Sequence, residues 1–169
     1  MDIQALTEYF LRYGAIFIYV IVLLEYMNLP GFPAGVIMPL AGIWAARGEI
    51  SFPMVMVLSV AAGVTGSWLL YLLGRLGGNR VLGWYFKKFP KHKEAVEKKM
   101  EMLREKGCIG VFVSKLLPVA RTLISIPAGM VKMNFLKYTV SSFFGVFLWN
   151  LVFVGAGYFL GDAAVGMFM

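Results

Sequence analysis

Arg121 stands in Pro118-Val119-Ala120-Arg121-Thr122-Leu123-Ile124-Ser125-Ile126-Pro127-Ala128-Gly129, a stretch with no other charge. An ionisable side chain at bilayer depth costs at least ~2.5–3.5 kcal/mol, so it persists there only where it is paired, reaches water or is in use. A guanidinium stays charged and offers its donors in a fixed plane, which suits a phosphate. Lys115, six residues earlier, adds a second cation if the chain folds back; the alternative is a lysine that snorkels to the interface from a shallow position. Glu25 is the acidic counterpart, able to neutralise Arg121 when the site is empty and to release it when protonated or displaced by phosphate. The plainer reading of Glu25 and Arg121 is a buried ion pair that fastens two segments together. Asn28 and Asn150 either coordinate a substrate or hydrogen-bond between helices, and Arg75, at a helix end, is either an interfacial anchor or a further ligand.

The elements that must carry these residues are membrane elements. Hydrophobic residues make up 60% of the 169-residue chain. Ile50 to Gly74 and Tyr138 to Gly161 are uncharged runs of 25 and 24 residues, each long enough to cross ~30 Å of hydrocarbon as a helix. Tyr26 to Ala46 is equally uncharged but carries Pro30, Pro33 and Pro39 with Gly31, Gly35 and Gly42, which would leave backbone groups unpaired in a straight helix. It is expected to enter the membrane and return. The segment around Arg121, bracketed by Pro118 and Pro127 and closed by Ala128-Gly129, has the same character.

Asp2 and Glu8 precede any hydrophobic stretch, so no cleavable signal peptide is expected. Residues 2–12 suit a short interfacial helix leading into an apolar helix from about Tyr13 to Met27. Cys108 and His92 are the only residues of their types; His92, in a lysine-rich loop, reads as solvated, and no cofactor or metal is implied. Ten Lys and Arg stand against four Glu between Arg75 and Lys106, an excess that keeps a short linker on the cytoplasmic side. Within it Glu94, Glu97, Lys98, Glu101, Arg104 and Glu105 predict a polar helix from about Lys91 to Lys106, ended by Gly107. Topology and contact with anionic headgroups account for the basic linker without a nucleic-acid partner.

An internal repeat organises the pieces. Pro39-Leu40-Ala41-Gly42 is followed by Ile50-Ser51-Phe52 and a long helix ending Tyr71-Leu72-Leu73-Gly74-Arg75. Pro127-Ala128-Gly129 is followed by Met133-Asn134-Phe135 and a long helix ending Tyr158-Phe159-Leu160-Gly161-Asp162. Each half is a broken hairpin plus one full crossing, so the second hairpin must enter from the opposite face. Inverted repeats with discontinuous segments are the construction of secondary transporters, whose substrates bind where the repeats meet. The expected fold is therefore all-α and polytopic: an N-terminal interfacial or transmembrane helix (1–29), repeat one (30–75), a basic cytoplasmic linker (76–108), repeat two (109–162) and a tail (163–169). Pro30, Pro33, Pro39, Gly42, Pro118, Pro127 and Gly129 are the expected hairpin hinges.

Taken in order, Glu25-x4-Pro30-Gly-Phe-Pro33, Met38-Pro39-Leu-Ala-Gly42, Gly63-x-x-Gly66, Tyr71-x-x-Gly74-Arg75-x-x-Gly78, Lys115-Leu-Leu-Pro118-x-x-Arg121, Pro127-Ala-Gly129 and Gly145-x3-Trp149-Asn150 resemble the DedA family of integral membrane proteins over nearly the whole chain. The resemblance implies two opposed re-entrant hairpins, the cytoplasmic membrane of a bacterium or archaeon, and transport of lipid-linked phosphates such as undecaprenyl phosphate, with phospholipid scrambling in eukaryotic relatives. The chain departs from the family pattern at three places. Ala34-Gly35 and Ser67 stand where the family often has acidic residues, and Lys115 stands where it often has arginine. Coupling to a proton or cation gradient is correspondingly open, and with it a proton- or cation-coupled transporter of another small anion. The chain ends soon after the last repeat helix, which would leave its C-terminus outside or lying on the outer surface. The function expected is a flippase for a polyprenyl phosphate, not an enzyme. A lipid phosphatase would usually need a histidine or a metal cluster, and a membrane-thinning structural protein would not discriminate headgroups. A chain this small is also a candidate for homodimerisation.

Overall fold

A computed structural model of the protein describes residues 13–27, 35–88, 93–118 and 120–161. Asn28, Pro30, Pro33 and Ala34 lie outside the described residues, as do residues 2–12 and His92. Among the described residues the regular structure is helical: α1 (Ala15–Tyr26), α2 (Ile37–Ala46), α3 (Phe52–Lys88), α4 (Lys93–Lys115), α5 (Ala120–Leu123), α6 (Ser125–Met130) and α7 (Phe135–Leu160).

Two stretches, Phe52–Gly78 of α3 and Phe135–Leu160 of α7, are long and apolar enough to cross a membrane. Their side chains meet the surroundings as such helices do. Along α7 Leu136, Phe144, Val152 and Phe159 are all exposed, a density of bare apolar side chains that water would oppose and hydrocarbon would not. The polar helix expected to stop at Gly107 does break there, where φ is 51° and ψ is −120°, and α4 resumes beyond it as an apolar stretch to Lys115. Gly78 divides α3 in the same conformation, φ 43° and ψ −135°. Only glycine adopts such angles without strain, so both ends of the basic linker are set by residues without a side chain.

The chain divides into two compact units, Met1–Gly66 with Val146–Met169, and Ser67–Gly145. In the first, α2 is buried from Ile37 to Ala45, as expected of a helix apolar all round. At 10 residues it is ~15 Å long, half the thickness of a bilayer core. Pro39 is its third residue, where the missing N–H has no partner to lose. Pro39 therefore starts this helix instead of breaking it, and Pro127, third residue of α6, does the same. Pro118 lies in the turn between α4 and α5.

Each unit seats a short helix on a long one through a pair of glycines. In the first, a Cβ at Gly42 would lie under 3.0 Å from the Val154 carbonyl oxygen and the Tyr158 nitrogen, and one at Gly157 would strike the Pro39 carbonyl. In the second, a Cβ at Gly129 would strike the Tyr71 carbonyl and the Arg75 nitrogen, and one at Gly74 the Ile126 carbonyl. Backbone meets backbone, which only glycine permits. The sequence comparison sets Gly74 beside Gly161. The residue packed as Gly74 is packed is Gly157, one turn earlier. Phe52 and Phe135, which start the long helices, keep that same spacing; the four-residue difference falls in the connection from short helix to long one, 42–52 against 129–135.

Candidate functional site

Arg121 and Lys115 lie in the same unit, Ser67–Gly145, and each is 1% exposed. Lys115 is the last residue of α4, where the partial negative charge of the helix end favours a cation. Its Nζ donates to Ser67 Oγ at 2.8 Å and Ser125 Oγ at 3.1 Å. Space for its stem comes from Gly145, where a Cβ would strike the Lys115 Cβ. Beyond Lys115 the chain makes tight turns, with Leu116 N bonded to Val113 O and Leu117 N to Ser114 O. It then enters α5, which carries Arg121. Lys115 and Arg121 thus flank this turn, one at the end of α4 and the other on α5.

The Arg121 N–H is bonded to the Leu117 carbonyl. Ser67 is the hub of the cluster: its hydroxyl accepts from Lys115 and its carbonyl from the Tyr138 hydroxyl, at 3.0 Å. Ser67 stands out in the sequence only as a departure from the family pattern, and Ser125 and Tyr138 attract no notice there. The available signal was Lys115 itself, because a buried ammonium has three donors to satisfy and Ser125 lies in the same broken hairpin.

Arg75 is exposed and belongs to the same unit. Its Nη1 donates to the Tyr71 hydroxyl at 2.6 Å, and that hydroxyl donates in turn to the Met133 carbonyl. Tyr71, buried, stacks on Tyr138 with ring centroids 4.6 Å apart. The arrangement holds Arg75 as an anchored surface cation, apart from the buried cluster.

Glu25 and Asn150 belong to the other unit. Glu25 is 4% exposed and its Oε1 accepts the Gly35 N–H at 3.1 Å. Gly35 has φ 89°, so this carboxylate receives a backbone turn that glycine makes possible. Asn150 is fully buried, and its Oδ1 accepts the Tyr26 hydroxyl at 2.9 Å. That is the interhelical hydrogen bond read as one of its two possible roles. Tyr26 in turn lies across Gly63 and Gly66, which leave room for its ring.

Against known proteins, residues 32–159 match the VTT domain. The uncharacterized membrane protein YkoX of Bacillus subtilis is 33% identical over 136 residues, covering 80% of this chain and 62% of its own length. Undecaprenyl phosphate transporter A of Staphylococcus aureus is 30% identical over 170 residues, 98% of this chain and 83% of that protein. The alkaline phosphatase-like protein of Lactococcus lactis subsp. cremoris is 28% identical over 138 residues, 79% of this chain and 64% of that one. The chain thus spans less than two thirds of two of these three relatives. No solved structure matches. With the VTT domain over most of its length and relatives of this identity, the chain belongs to the VTT-domain, or DedA, family of membrane proteins.

Proposed function

We propose that this protein carries a polyprenyl phosphate, such as undecaprenyl phosphate, between the leaflets of a bacterial or archaeal cytoplasmic membrane, returning the carrier lipid for envelope or glycan synthesis. The observation that carries the reading is the pair of buried cations, Lys115 at the end of α4 and Arg121 on α5. Lys115 is held by two hydroxyls, so a phosphate oxygen can exchange for a serine without breaking an ion pair. The S. aureus relative named undecaprenyl phosphate transporter A supports the choice of substrate. In the proposed cycle Arg121 and Lys115 capture the phosphate, two re-entrant hairpins of an inverted repeat exchange access, and Glu25 restores the empty state. The matching glycine seats of the two units support that repeat, and the basic linker supports a cytoplasmic side for the segment between them.

The test is movement of undecaprenyl phosphate across liposome leaflets by the purified protein, with phosphatidylcholine and the Arg121→Ala protein as controls. Selective, arginine-dependent movement is expected. Equal movement of both lipids would make it a general scramblase. Release of inorganic phosphate in place of movement would make it a phosphatase, in keeping with the Lactococcus relative's name.

A further inference from the structure

Three cations mark the ends of the two membrane-capable stretches. Arg75 lies just before Gly78, where the first stretch stops, and Lys132 and Lys137 flank Phe135, where the second starts. All three are exposed and belong to the Ser67–Gly145 unit. The Tyr71 hydroxyl links Arg75 to the turn before α7: it accepts from Arg75 Nη1 at 2.6 Å and donates to the carbonyl of Met133, the residue after Lys132. The guanidinium also lies over the Tyr71 ring, 5.9 Å from its centroid. Arg75 is thereby held in place while most of its N–H donors stay available. Among the described residues no carboxylate pairs with any of the three, and the first turn of α7 has no acidic residue. The N–H groups of Leu136 and Lys137 are taken by Asn134 Oδ1, so an anion here is held by side chains.

Lys132 shows that charge is kept at this turn against the preference of the backbone. It has φ 52° and is the only non-glycine among the described residues with positive φ. Its N–H bonds the Gly129 carbonyl and the Met133 N–H bonds the Ala128 carbonyl, the paired bonds of a helix end whose left-handed residue is usually glycine. In the other unit α2 ends with the same pair, Gly48 to Ala45 and Glu49 to Trp44, and there the left-handed residue is Gly48, φ 77°. A side chain in that region is strained where glycine is not. Membrane orientation does not require the strained position, because the charge bias that sets it is counted over a whole loop. The neighbouring exposed side chains Leu72, Leu76, Phe135 and Leu136 are apolar. A water-soluble polyanion would leave them bare, whereas a lipid brings acyl chains to them and a phosphate to the cations.

We propose that Arg75, Lys132 and Lys137 form a seat for the headgroup phosphate of an anionic phospholipid, at the membrane border where the basic linker begins. The seat holds a lipid of the surrounding bilayer and is separate from the buried pair Lys115 and Arg121, so it stands or falls apart from the carrier reading.

The test is native mass spectrometry of the purified protein in mild detergent, titrated with phosphatidylglycerol against phosphatidylcholine. One phosphatidylglycerol is expected to bind about tenfold more tightly than phosphatidylcholine, and Arg75→Gln/Lys137→Gln should remove the preference. Lys87→Gln/Lys106→Gln, which deletes two exposed linker charges, should leave it intact. Tyr71→Phe keeps every charge but frees Arg75, and should lower the preference about threefold. Lys132→Gly should lower it about threefold while raising the lipid-free melting temperature by about 3 °C, because the strain is relieved. Equal losses in the linker variant and in Arg75→Gln/Lys137→Gln, or no change in Tyr71→Phe, would reduce the seat to diffuse attraction and overturn it. Retained preference in Arg75→Gln/Lys137→Gln would place the lipid elsewhere and also overturn it. Undecaprenyl phosphate bound in preference to phosphatidylglycerol, with Arg75→Gln/Lys137→Gln removing that preference, would make the seat a station for the carried lipid and overturn its assignment to the bilayer.

Discussion

Gly42 with Gly157 and Gly74 with Gly129 do the same mechanical work in different units, each pair letting a short buried helix touch the backbone of a long one. The polar content around them is not the same. Of the buried polar and charged side chains among the described residues, the Ser67–Gly145 unit holds Ser67, Ser114, Lys115, Arg121, Thr122, Ser125 and Ser142, and the other holds Glu25, Ser59 and Asn150. Charge divides likewise. Fourteen Lys and Arg stand against four Glu in Ser67–Gly145, and two against five acidic residues in the remainder. The two units share a glycine packing and differ in their buried polar side chains. Packing is held because backbone contact tolerates only glycine, whereas a buried polar side chain can change wherever its new partner satisfies it.

The comparison breaks first at the glycines. Gly42→Val and Gly129→Val should each cost about 3 kcal/mol or more, because the added atoms meet backbone and not a movable side chain. Thermal unfolding in detergent should show equal losses, and tolerance at only one of the two positions would end the equivalence of the units. Next comes Arg121→Ala, expected to lower lipid movement about a hundredfold, or about 2.8 kcal/mol, while Asn150→Ala changes it by less than about threefold. Glu25→Gln keeps an oxygen for the Gly35 N–H and removes the charge. A tenfold slower turnover, about 1.4 kcal/mol, with unchanged thermal stability would assign the charge to the cycle. Unchanged turnover would leave Glu25 a structural cap. Replacing Ser67 and Ser125 together by alanine should raise the lipid concentration for half-maximal transport about fivefold, because the ammonium loses its orienting partners. Tyr26→Phe should have the smallest functional effect, costing about 1 kcal/mol of stability through the lost bond to Asn150 while transport stays at the wild-type rate.

Charge and apolar run length were legible without coordinates. The 25- and 24-residue uncharged runs became Phe52–Gly78 and Phe135–Leu160, and the polar helix ended at Gly107 as composition required. Arg121 and Lys115 stood out because a charge amid apolar sequence violates the local pattern. Which glycine packs as Gly74 does was not legible. Tyr-x-x-Gly recurs at both Tyr71 and Tyr158, and a helix turn is close to four residues, so Gly157 and Gly161 look alike until backbone atoms meet. Ser125 and Tyr138, which escaped notice, and Ser67, noted only as a departure from the family pattern, are ordinary residues of membrane helices. Only the tertiary structure brings the two hydroxyls to one ammonium and Tyr138 to the Ser67 carbonyl.

By itself, then, the sequence determined that the chain is built for a membrane, where it breaks and which charges it buries, because those properties depend on solvent transfer and local backbone freedom. The tertiary structure decided which glycines touch which carbonyls, which hydroxyls hold Lys115, and that α4 and α7 line an apolar groove between them. Those depend on residues far apart in the chain meeting at hydrogen-bond and van der Waals distances, which no local pattern encodes.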